Sequence, residues 1–106
     1  MYIVRYDWDD EKNRRNQRKH GGISFELATL AFDDPNCLVF PDRVDERGEQ
    51  RWHAIGALNI EVGVVLVLLV VHAYREYRDD EEIIRIISAR KADTSDLRRY
   101  QEQAMD

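Results

Sequence analysis

The sequence predicts an α+β fold: an N-terminal strand, two helices, an antiparallel β-sheet and a C-terminal helix, in one domain over residues 1–106. Three observations predict it. β-Branched, apolar runs fill the second half at 51–57, 62–74 and 82–90, separated by short polar connections that suit hairpins. The first half instead carries two segments with helix caps and glycine or proline stops. Continuous apolarity from Val64 to Val71 demands cover on both faces and so marks a central strand. A chain of 106 residues has room for one core.

Tyr2 to Tyr6 is a short β-rich run and reads as an edge strand. Asp7 or Asp9 caps a following helix, with Asp10 and Glu11 suited to its positive end. It runs to about Lys19, where Gly21-Gly22 stops it. After Trp8 this helix has almost no apolar face. Lys12, Arg15, Asn16 and Lys19 fall on one stripe, and a solvated face is the ordinary meaning of such a stripe. Ser24 caps a second helix, Phe25 to about Phe32, whose Leu27, Ala28 and Ala31 pack on the sheet. Asp33-Asp34-Pro35-Asn36 ends it, because proline biases its predecessor away from helix. Cys37 to Phe40 is a strand, and Pro41 to Gln50 reads as a mobile polar loop around Gly48. Leu58 to Glu61 is the expected first hairpin connection and the stretch around Asp79-Asp80 the second. A last helix from Ser95 presents Leu97, Tyr100 and Ala104 on one side.

Composition excludes several classes of function. A single cysteine, Cys37, cannot form an intrachain disulfide or a multi-cysteine metal site, and favours a reducing, cytoplasmic setting. Charges begin at Arg5 and Asp7, so no secretory leader is expected, and the ten-residue apolar run Val62–Val71 is too short to span a bilayer as a helix. His20, His53 and His72 lack metal-ligand spacing, and neither a phosphate-cradling glycine loop nor a nucleophile elbow is present. No metal and no cofactor are expected. The net charge of −5 argues against a general positive field for nucleic acid, but its distribution is uneven. Residues 11–20 hold Lys12, Arg14, Arg15, Arg18 and Lys19 with His20 against Glu11 alone. Residues 26–50 hold seven acids against two arginines.

Cations therefore gather at element ends: Lys19 and His20, Arg51 and His53, His72 and Arg75, Arg85 and Arg90. Such a set suits RNA cleavage. A base takes the proton of the ribose 2′-hydroxyl, cations stabilise the phosphoryl oxygens, and an acid protonates the leaving 5′-oxygen. Histidine supplies the proton chemistry near neutral pH, and arginine offers a fixed charge with a phosphate-matching fork. Arg85 and Arg90 differ in parity, so a regular strand would place them on opposite faces unless a bulge intervenes. Arg85 is then the one expected to pair with an acid. His72 reads equally well as a hydrogen-bonded core histidine, and Trp8 and Trp52 as core residues rather than base-stacking ones.

Tyr6-Asp7-Trp8-Asp9, Lys12, Asn16, Lys19-His20-Gly21, Ser24-Phe25-Glu26 and Phe32-Asp33-Asp34-Pro35 together resemble the opening of BrnT-type toxins. The resemblance continues through Glu49, Arg51-Trp52, Ile55-Gly56, Val70-Val71-His72 and Arg75 to Ile84-Arg85-Ile86-Ile87-Ser88-Ala89-Arg90-Lys91-Ala92 and Tyr100. It implies a RelE-like fold and the toxin half of a type II toxin–antitoxin pair, an endoribonuclease that cleaves RNA without metal and arrests translation. It further implies a cognate BrnA-like antitoxin that contacts operator DNA on the toxin's behalf.

On this reading His20, Arg51, Arg75 and Arg90 are the expected catalytic residues, with His20 as general acid or base. Lys12, Lys19, Arg85 and His53 are the expected RNA contacts. The long hydrophobic hairpin at Glu61–Leu69 is compatible with a homodimer or antitoxin surface. A second reading is a non-catalytic module whose acidic stretch 26–50 attracts a basic antitoxin and tunes operon repression.

Overall fold

The structure, a computed structural model, describes residues 2–78 and 80–104. Its elements are β1 (Ile3–Asp7), α1 (Asp10–Lys19), α2 (Phe25–Thr29) with a 3₁₀ turn (Leu30–Asp33), β2 (Leu38–Val44), β3 (Gln50–Glu61), β4 (Val64–Arg78), β5 (Glu81–Lys91) and α3 (Thr94–Ala104). The strands form one sheet in the order β1-β5-β4-β3-β2. β4 is central, as its unbroken apolar run predicts, and β1 is an edge strand. β2 to β5 are antiparallel neighbours, while β1 joins β5 in parallel, so the sheet is mixed.

Local chemistry sets the boundaries. Of the two candidate caps for α1 it is Asp9 that accepts the Lys12 amide, at 3.0 Å. Ser24 caps α2 through the Leu27 amide. The second helix is α-helical only to Thr29 and tightens into the 3₁₀ turn ahead of Pro35. Asp93 and Asp96 cap α3 reciprocally, each accepting the other's backbone N–H, at 2.8 and 2.9 Å.

Two connections differ from expectation. The segment 41–50 is not a loop: β2 continues through Pro41 to Val44, and Gln50 already belongs to β3. Proline fits because β2 is an edge strand whose outer side needs no ladder donor. The actual turn, 45–49, is drawn tight by Asp45 Oδ1, which accepts the amides of Arg47 and Glu49. Leu58 to Glu61 is strand, and the hairpin turns at Val62-Gly63, where Gly63 supplies a φ of +82°. Asp79 and the Ala104 side chain lie outside the described residues.

One face of the sheet carries Ala54, Leu58, Leu68, Val70, Ile84, Ile86 and Ala89 and packs on Ile23, Phe25, Ala28 and Ala31. Phe25, fully buried, contributes about 3 kcal/mol of burial on its own. The opposite face carries Arg51, His53 and Ile55 on β3, Leu69, Val71 and Ala73 on β4, and Arg85, Ser88 and Arg90 on β5. Ile55 and Leu69 are buried on that face, and α3 packs against β3 there.

A bulge explains the grouping on β5. Val71 is paired with Ser88 but His72 with Ile86, so Ile87 is an extra residue. Arg85 and Arg90 consequently share a face despite their unlike parity.

His72 lies on the packed face, wholly buried, edge-on to the rings of Phe32 and Tyr74. Burial lowers its pKa from 6.5 to about 4. Between those values the unfolded chain binds the proton and the native one does not. Stability is therefore lost as pH falls from 6.5 towards 4, by about 3 kcal/mol at full effect. Urea melts at pH 7.5 and 4.5 should show His72→Phe losing about 2.5 kcal/mol less over this window than the parent chain.

Candidate functional site

The site begins where β1 ends. β1 pairs with β5 only as far as Asp7 opposite Arg85, which leaves the edge of β5 beyond that point without a strand neighbour. α1 takes the vacant place, although it has almost no apolar face to bury. Asn16 provides the join. Its side-chain amide donates to the Ala89 carbonyl at 2.8 Å and to the Ile23 carbonyl at 2.9 Å, and accepts the Ala89 N–H at 3.1 Å. Asn13, one turn earlier, accepts the Phe25 N–H at 2.8 Å and donates to Glu26 at 2.6 Å. Both asparagines are buried.

This docking aims the basic stripe across the edge of the sheet. Lys12, Arg15, Lys19 and His20, the last being the C-terminal cap of α1, line a cavity of about 300 Å³ with Asn16, Ile87, Ser88 and Arg51. None of its described lining residues is acidic. Among the described residues no carboxylate forms an ion pair with Lys12, Lys19 or His20, and the partner of Arg15 is Glu11 on the exposed helix surface, 3.6 Å away. Arg51 reaches the cavity from β3, two strands distant, in a row with Ala73 and Arg85. The small Ala73 side chain between them leaves room for the guanidinium. Arg51 Nη2 lies 3.6 Å from Asp45 Oδ2, too long for a good hydrogen bond, and its buried Nε has no partner among the described residues. Asp45 itself is held below the usual carboxylate range, first by the Glu49 amide and then by the Arg47 amide and the two nearby arginines.

A second cavity, of about 490 Å³, shares Lys12 and Arg51 with the first and adds Asp45, Glu46, Arg47, Glu49, Arg75 and Arg85. Here the cations are largely matched. Arg85 forms an ion pair with Glu49, as expected of an arginine pairing with an acid, and Arg75 bonds Asp7 at 2.6 Å.

The expected site residues thus divide. Lys12, Lys19, His20 and Arg51 converge on the acid-free cavity, and Arg75 and Arg85 on its neighbour. His53 and Arg90 line neither. Arg90 pairs with β4 four residues from the partner of Arg85, about 13 Å along the strand. It bonds Asp96 at 2.8 Å beside the start of α3. His53 contacts Asp42 at 3.1 Å and lies edge-on to Phe40, whose ring is capped by Arg99 at 4.0 Å.

Sequence reasoning overlooked the anchoring role of Asn13 and Asn16 and the place of Ser88 in the cavity wall. The readable signal was two asparagines three apart on a helix that otherwise lacks any means of attachment. Among the described residues no group of three or more His, Cys, Asp or Glu is arranged to hold a metal ion, and no helix is long and apolar enough to cross a membrane.

A half-buried histidine, a partly unsatisfied arginine and two lysines outside any described ion pair surround one cleft. Together they can bind a phosphodiester, move a proton beside it and stabilise charge on its oxygens. A family model described as the ribonuclease toxin BrnT of type II toxin–antitoxin systems matches residues 8–96. That span includes α1, the cleft and all of the sheet except β1. No curated protein matches the chain.

Proposed function

Because this chain belongs to the BrnT family of ribonuclease toxins of type II toxin–antitoxin systems, we propose that it cleaves RNA at the acid-free cleft between α1 and β5 and thereby arrests translation. The observation that carries this reading is the convergence of Lys12, Lys19, His20 and Arg51 on one cavity with no acidic residue in its described lining. The scissile phosphate sits against Arg51, with Lys12 and Lys19 on the flanking phosphates. The ribose 2′-oxygen bonds to phosphorus as its proton leaves, the bond from phosphorus to the 5′-oxygen breaks, and that oxygen takes up a proton. His20 serves one of these two transfers. The products are a 2′,3′-cyclic phosphate and a 5′-hydroxyl, and the groups named suffice without a metal. Arg75 and Arg85 extend the cationic surface once RNA displaces Asp7 and Glu49. Arg90 and His53, set apart from the cleft, act on the fold or on distant nucleotides.

The test is incubation of the purified protein with single-stranded RNA in excess chelator. Cleavage with cyclic-phosphate ends supports the proposal; dependence on added metal, or no cleavage, overturns it. Salt provides a separate check. Three phosphate contacts give single-stranded RNA affinity a log–log salt slope of about −2, and removing Lys12 or Lys19 should flatten it by about 0.7 each.

Membership of a type II system implies an antitoxin partner. A BrnA-like protein that occupies the cleft and carries the complex to operator DNA fits the exposed cations. One observation favours a second reading, a non-catalytic partner-binding module. Arg51, Arg75, Arg85 and Arg90 each face a carboxylate of this same chain. Expression without any partner separates the two, since unchanged growth and intact cellular RNA would support the binding module.

A further inference from the structure

We propose that Asn16 is a positioning residue for this cleft, setting the distance between the α1 cations and Arg51 by acting as a substitute strand on β5. The inference rests on the nuclease reading above and adds to it a cavity-wall residue whose amide hydrogens are both committed to the fold. A side-chain amide presents one N–H and one C=O in the geometry of a peptide group. Asn16 uses them as a strand neighbour would, donating to the Ala89 carbonyl and accepting the Ala89 N–H. The join lies at the stretch of β5 that β1 does not reach, two residues beyond the extra residue Ile87. Its other amide hydrogen goes to the Ile23 carbonyl, which ties in the turn that follows α1. Both donors are thereby committed, so nothing remains of the NH₂ to offer a substrate.

What surrounds Asn16 gives the bond its consequence. Lys12 and His20 are four residues to either side of it, and Lys19 is three residues on, so all project from the same face of α1 as the anchor. The opposite wall of the cavity, Ser88 and Arg51, is fixed to the sheet. The helix has no apolar stripe to hold its register, and the mean hydropathy of the chain is low, at −0.62. If the Asn16 clamp is removed, the His20-to-Arg51 distance is no longer fixed. A shift of about 1 Å at a reacting geometry costs on the order of 10²-fold in rate.

Asn13 is a matched control. It is buried to the same degree, 7% exposed against 6% for Asn16, and also makes several hydrogen bonds, but to α2 rather than to the sheet. The experiment compares Asn16→Ala, Asn13→Ala and Asn16→Gln with the parent chain. RNA cleavage is measured in single turnover at saturating enzyme, per folded molecule, with thermal melts on the same samples. We expect Asn16→Ala to lose about 30- to 100-fold in the cleavage step with RNA affinity within about threefold, and Asn13→Ala to melt lower yet keep its rate within about threefold. Asn16→Gln retains the amide on a stem one methylene longer. It keeps the fold and should lose about tenfold, which decides the matter should the alanine variant not fold. Full rate in Asn16→Gln, or equal losses in the Asn13 and Asn16 variants, would overturn the inference while leaving the nuclease reading intact. A parent chain that cleaves no RNA would remove both.

Discussion

Arg51→Ala should lower the rate of RNA cleavage by about 10²–10³-fold, or roughly 3–4 kcal/mol of transition-state stabilisation. Arg51 lines both cavities and has a buried guanidine nitrogen without a partner among the described residues. A guanidinium whose own ion pair is long gains more from an incoming phosphoryl oxygen than one already closely bonded to a carboxylate. Folding should barely suffer, because the ion pair that Arg51 makes with Asp45 is long, 3.6 Å, and sits at the rim of the sheet. Arg51→Lys keeps the charge but not the planar fork, so it should recover only part of the rate. Arg90→Ala is the comparison: its guanidinium is bound to Asp96 outside the cleft, and its rate should stay within about threefold of the parent. Single-turnover kinetics on a short RNA distinguishes these expectations directly.

Gly56→Ala should be the most damaging small substitution in the sheet, costing more than about 3 kcal/mol and leaving little folded protein at about 37 °C. A β-carbon at position 56 would sit 2.2 Å from the Ala31 carbonyl oxygen and 2.8 Å from its carbon. These are backbone atoms of the 3₁₀ turn, which has little freedom to retreat. Asp34, at the end of that turn, accepts the Ala57 N–H at 2.8 Å and the Tyr100 hydroxyl at 2.5 Å, so sheet, turn and α3 are bolted together. Those donors also hold the Asp34 carboxyl below its ordinary value against the opposing pull of burial. Gly63→Ala makes a useful contrast. Its surroundings are open, and the only penalty is a φ of +82°, about 1–2 kcal/mol. Thermal melts of the two variants should therefore separate clearly.

Much of the fold was legible because hydrophobic pattern alone specifies it. Val64 to Val71 could only be a central strand, and Ser24, Asp9 and the proline after Asp34 mark helix ends by their own chemistry. Pattern is silent where polar residues carry structure. Pro41 to Gln50 looks like a loop, yet an edge strand needs no donor on its outer side and tolerates both proline and charge. Asn59 and Glu61 look like turn residues, yet they belong to strand, on an exposed part of the hairpin where water satisfies them. For the site, the sequence offers candidate cations but not the carboxylates they meet. Glu49 and Asp7 are distant in sequence from Arg85 and Arg75, Asp45 is one acid among several in its stretch, and only three-dimensional pairing separates Arg51 from Arg90. The bulge at Ile87 has no residue signature at all, since no glycine or proline marks it, and it alone places Ser88, Arg85 and Arg90 on the same face.

If α1 and β3 build one phosphate site between them, a bound dinucleotide must bridge the two. The crystal structure of the protein with a non-cleavable RNA dinucleotide, its ribose 2′-hydroxyl replaced by hydrogen, decides this. The phosphorus should lie within hydrogen-bonding reach of Arg51, with His20 beside the sugar and Lys12 or Lys19 on a phosphate oxygen. A phosphorus seated instead beside Arg90 and Asp96 under α3, with the cleft at Ser88 empty, would contradict a shared site.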